Sequence, residues 1–193
     1  MKSFVADCFN LIKNNLILFW VLVGVFVFGV VLGLLTPVFS IFSKYFSDFG
    51  LIYFKAVLSP DSSAFSFLVK RLIYSLCFIG ALYLLSLNKV LYYACFALMF
   101  LRAYFLGLSA RIIISALGVF GVFSYLFLVF LQGVFVYVGA SLYLLSTYKK
   151  QCEKCYAEKF FKKAILAFII SAVGAIIEFL LLVFLFRPLS FYY

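Results

Sequence analysis

Apolar positions along this chain fall in long, nearly unbroken runs, not in the alternation of a half-buried strand or the narrow stripe of a surface helix. As a helix, the first run, 16–38, is about 34 Å long, enough to cross a hydrocarbon core of about 30 Å. It is too long for the core of a signal peptide and has no A-x-A cleavage site, so it reads as an anchor that stays in the membrane. Pro37 ends or kinks it. Gly29 and Gly33 stand four apart within it. They are either a chance pair in a glycine-containing span or a small-xxx-small face that lets a second helix come close.

Runs at 72–87, 90–109, 112–131 and 164–186 predict four more spans. The first of these extends back to Phe65 and turns into the next at Asn88-Lys89, while Gly118 and Gly121 offer close contacts in 112–131. Gln132-Gly133 then interrupts the pattern. The remainder, Val134 to Ser146, is too short for a full crossing and reads as a re-entrant or strongly tilted segment whose broken backbone is buried in protein. Residues 39–69 mix Phe and Tyr with Lys44, Asp48, Lys55 and Asp61, the pattern of an amphipathic segment lying on the outer membrane surface, aromatics down. Residues 1–15 form a polar lead, and 147–163, with six Lys and two Glu, a basic loop. The expected fold is therefore all-α: a polytopic helical membrane protein with about five transmembrane helices, a re-entrant or short sixth segment and an outer amphipathic segment. It forms a single membrane domain over 1–193.

Composition strengthens this reading. The chain is 68% hydrophobic and only 11% charged, against about 25% charged residues in an ordinary soluble domain, so most of its surface must face lipid. The near-continuous runs argue against a β-barrel. The net charge of +10 belongs to the flanks of the spans and to orientation and lipid contact, not to nucleic acid. With the N-terminus and 147–163 in the cytoplasm, the inner face holds more Lys and Arg than the outer, although Lys70 and Arg71 run against the bias. That topology needs 134–146 not to cross, and it puts the C-terminus outside.

Two charges lie within apolar runs, Arg102 and Glu178. A charge in hydrocarbon needs a partner or water. Counted from Lys89 and Lys163, the two sit roughly 20 and 22 Å from the same face. They are expected to pair inside the bundle. The alternative is that Arg102 snorkels while Glu178 is protonated or meets water. Other chemistry is thin. There is no His, no P-loop, no nucleophile elbow and no spaced carboxylate pair, so no catalytic, cofactor or metal residues are expected. The pair Cys152 and Cys155 lacks the further ligands that zinc needs and the strand-to-helix setting of a redox motif.

The order of features resembles the stage II sporulation protein M family. The likeness rests on Gly29-Val-Val-Leu-Gly33, Leu101-Arg102-Ala-Tyr-Phe-Leu-Gly107, Gly118-Val-Phe-Gly121, Leu131-Gln132, and Ala175-Ile-Ile-Glu178 followed by Arg187-Pro188-Leu189-Ser190. It covers nearly the whole chain in order, with Leu131 where the family usually has Pro and Ala103 where it often has Gly. The resemblance implies a non-catalytic scaffold of the sporulation engulfment machinery in the bacterial cytoplasmic membrane. Such a scaffold recruits membrane-anchored peptidoglycan hydrolases, stage II sporulation proteins P and D; from the sequence, monomer and homo-oligomer both stay open. The alternative is a membrane subunit of an ABC-type permease complex, since related domains occur beside transporter components.

Overall fold

The computed structural model describes residues 10–36, 64–88, 90–148 and 157–186. Every described element is helical. The outer segment 39–69, except for its last residues, most of the lead 1–15, and the Cys152/Cys155 pair lie outside the described residues. Five helices are long and apolar enough to cross a membrane. We number them α1 (Leu16–Leu35), α2 (Ala64–Ser86), α3 (Tyr92–Ser115), α4 (Leu117–Tyr148) and α5 (Ala157–Leu181). A π-turn, Leu182–Phe186, follows α5, and another, Leu126–Phe130, lies inside α4.

The chain is thus an all-α polytopic membrane protein, with one correction to the expected spans. Residues 134–146 are not a separate re-entrant segment. They are the second half of α4, which runs through Gln132 and Gly133 without a break. The reversal lies earlier, at Gly118, where φ is 57° and ψ −133°. That region of backbone space is nearly closed to residues with a Cβ, so glycine there lets α3 fold back on α4 with almost no loop. Residues 112–115, expected to open the fourth span, close the third.

α1 packs along α3, α4 along α5, and α2 fits against α5. The α1–α3 contact is backbone against backbone. A Cβ on Gly33 would strike the carbonyl of Tyr104 and the amide of Leu108, and one on Gly107 would strike the carbonyl of Val30. Gly29 stands one turn earlier against Ala103, and Gly121 sits where the α3–α4 hairpin closes, against Ile113. Lipid tails are as apolar as Leu, so helices in a membrane gain by close packing of this kind. Apolar side chains gather in two clusters. One is built around Leu22, Leu82, Met99, Ala140 and Leu144, the other around Ala110, Ile113, Leu128 and Leu182.

Candidate functional site

Between the two apolar clusters lies a polar layer. On α2, Arg71 and Ser75 fall between Phe67, which packs on the second cluster, and Ile79, a member of the first. On α4, Gln132 falls between Leu128 and Tyr137; on α5, Glu178 falls between Ala167 and Leu182. On α3, Arg102 sits beside Ala103 at the edge of the first cluster. Antiparallel and parallel neighbours thereby deliver polar side chains to one level from four helices.

Glu178 has no exposed surface, and its Oε1 lies 2.9 Å from an Nη of Arg71. The expected pairing with Arg102 therefore does not form. Arg102 stays within electrostatic reach of both Glu178 and Arg71, but its guanidinium lies 5.8 Å over the ring of Phe78. The physical reason is azimuth. Counting along a helix gives the level of a charge but not its side of the helix. α2 fits directly against α5, whereas α3 reaches α5 only weakly. Arg71, assigned to the outer face from sequence, lies seven residues into α2, about 10 Å from its start. Its guanidinium sits 5.0 Å over Phe67.

Gln132, read from sequence as a break, is 1% exposed and donates from Nε2 to the hydroxyl of Ser75 at 3.3 Å. A buried amide with a partner interrupts nothing; it ties α4 to α2. Four buried atoms of the centre make no hydrogen bond among the described residues: Nε of Arg71, Nε of Arg102, and both carboxylate oxygens of Glu178. The hydroxyl of Ser124, on α4 seven residues from Leu117, is in the same condition. The π-turn of α4 separates Ser124 from Gln132, and the other π-turn begins four residues after Glu178. Such turns recur at functional sites, because one extra residue in a turn re-aims the side chains around it.

Other polar contacts bind the bundle together. Tyrosine hydroxyls of Tyr125, Tyr137 and Tyr92 donate to the carbonyls of Leu106, Leu22 and Leu144, and Tyr143 shares a short hydrogen bond with Ser86. Arg111 donates to the carbonyls of Leu34 and Thr36, closing the end of α1. Lys163 donates to the carbonyl of Ser146, clamping the start of α5 to the end of α4. Neither set of partners was visible in the sequence. A tyrosine deep in an apolar run was the available signal, since a buried phenol needs an acceptor.

On the flank of the bundle, α1 and α4 border an open groove of about 270 Å³. Phe19, Val23, Phe26, Val134, Val138 and Leu142 line it, with Ser141 as a polar residue among them. The small face of α1, by contrast, is already filled: Gly29 and Gly33 are used by α3. Among the described residues no three His, Cys, Asp or Glu side chains come together. Comparison of the chain with known proteins finds no matching family model, no matching characterised protein and no matching solved structure.

Proposed function

We propose that this protein is a multi-pass scaffold of the bacterial cytoplasmic membrane that holds other membrane proteins in place. The observation that supports this most directly is the groove between α1 and α4. It is apolar and open on one side, and it is bordered by helices whose outward residues, Trp20, Val27 and Val138, are exposed. A groove of this kind accepts the side chains of one more transmembrane helix by the close packing that holds α1 to α3. The family resemblance supplies the occupant: the membrane anchor of a peptidoglycan hydrolase of the engulfment machinery. The N-terminus and the basic residues 147–163 then face the cytoplasm and its anionic lipid, and the C-terminus faces outward.

A photo-crosslinking residue at Val138, followed by purification from membranes and mass spectrometry, tests this reading. Recovery of a membrane-anchored hydrolase supports it; crosslinks to an ATPase subunit, or to lipid alone, refute it. An ABC-type permease subunit is the second reading. The polar layer of Arg71, Arg102, Gln132 and Glu178 favours it, because charges inside a membrane bundle mark substrate paths in transporters.

A further inference from the structure

We propose that Arg71, Arg102 and Glu178 form the binding site for one oxyanion, a carboxylate or phosphate group held between the two guanidinium groups. The first argument is charge. The centre carries two guanidinium groups and one carboxylate. Glu178 is the only acidic residue within the spans Leu16–Leu35, Phe65–Ser86, Tyr92–Ser115, Leu117–Tyr148 and Phe160–Phe184. No second carboxylate of these spans is available to neutralise Arg102. Burial makes the charge of Arg102 costly; the like charge of Arg71 adds to that cost, and the carboxylate of Glu178, already paired with Arg71, offsets part of it.

The second argument is geometry. Glu178 is fully buried and forms an ion pair with one Nη of Arg71. Arg71 keeps 18% of its side chain exposed and Arg102 is half-buried, so neither is sealed inside the bundle. Phe67 and Phe78 each cover the face of one guanidinium. A guanidinium covered on its face has its N–H edge left to offer, and that edge matches the paired oxygens of a carboxylate or phosphate. On both arginines the buried Nε still lacks an acceptor. Gln132 and Ser75 occupy each other and tie α4 to α2 beside the two arginines. One oxyanion bound at the exposed part of the two guanidinium groups would bring the centre to neutrality.

The test uses the full-length protein, delipidated in dodecyl maltoside at pH 7, with thermal unfolding followed by far-UV circular dichroism. Sodium phosphate and sodium acetate are titrated against sodium chloride at matched ionic strength. In a parallel arm, nanodiscs with and without phosphatidic acid are compared. A midpoint that rises with phosphate or acetate in detergent identifies a free anion as the ligand; a rise confined to phosphatidic acid identifies a lipid headgroup. Either outcome supports the site. R102Q abolishes the response, while its anion-free midpoint equals or exceeds that of the wild type, because an unpaired charge has been removed. E178Q binds the same probe about tenfold more tightly or better, since one repelling charge is gone. The proposal is overturned if neither probe shifts the wild type, if R102Q responds like the wild type, which would mark an adventitious ion only, or if E178Q binds no more tightly.

Discussion

Replacing Arg71 with Gln removes the ion-pair partner of Glu178 and leaves that carboxylate, which has no exposed surface, with only the more distant Arg102 inside the bundle. At the observed 2.9 Å and an effective dielectric of about 20, the attraction lost is roughly 6 kcal/mol. Part of it had been offset by the desolvation of both groups, so the net loss expected for breaking a buried pair is about 3 to 5 kcal/mol. Glu178→Gln alone costs less, about 1 to 2 kcal/mol, because Arg71 is partly exposed and reaches water. The double variant R71Q/E178Q removes both charges of the pair, and Arg102 loses a repelling and an attracting neighbour together, so it returns to within about 1 kcal/mol of the wild type. In a chain of this size 1 kcal/mol moves the unfolding midpoint by about 2 to 4 °C, so R71Q falls by about 6 to 20 °C and the double variant largely recovers. Thermal unfolding of the four proteins in detergent, with helical circular dichroism as readout, measures the cycle. Additive losses, with the double variant as weak as the sum of the singles, would falsify the pairing of Arg71 with Glu178.

Further outcomes follow from the packing. Gly33→Ala and Gly107→Ala push α1 off α3 and lower stability by about 1 to 3 kcal/mol, while Gly24→Ala and Gly80→Ala, whose surroundings are open, leave it unchanged or raise it by about 0.5 to 1 kcal/mol; the same unfolding assay separates the two pairs. Gly118→Ala forces a Cβ into the positive-φ reversal and costs about 1 to 3 kcal/mol, read as a lower midpoint. Tyr137→Phe removes the bond to the Leu22 carbonyl and costs about 0.6 kcal/mol, near the average for hydrogen bonds between membrane helices. If the basic loop is cytoplasmic, Cys152 and Cys155 react with a membrane-impermeant maleimide only after the cells are permeabilised; labelling of intact cells refutes that orientation.

The number of crossings was legible because hydropathy over some twenty residues reports burial in lipid directly. The need for a partner to Glu178 was equally legible, since a lone carboxylate in hydrocarbon is costly whatever surrounds it. Which arginine answers was not. Arg71 and Arg102 lie at comparable depth, and only the way α2 nests on α5 selects between them. Gln132 misled for a related reason: an amide in an apolar run looks like the end of a helix until Ser75, 57 residues away in sequence, appears beside it. The reversal at Gly118 left no mark because the residues on both sides of it are as apolar as the spans themselves. The tyrosine bonds were hidden because aromatic rings in a membrane run count as greasy until a hydroxyl is traced to its acceptor.

The 30 residues of α4 beyond the Gly118 reversal make a rod about 45 Å long, while α1 with 20 residues is about 30 Å. A bilayer core of about 30 Å suits the shorter rod standing upright. Even leaning at 40°, the upper end of what membrane helices adopt, the longer one still rises about 34 Å along the bilayer normal. About 4 Å of it or more must therefore either stand clear of the hydrocarbon or thicken the lipid around it. Ser86 and Tyr92 are fastened to the Tyr143–Leu144 end of α4, so this surplus height is borne by α2 and α3 as well, and one flank of the molecule meets the bilayer at a different level from the other.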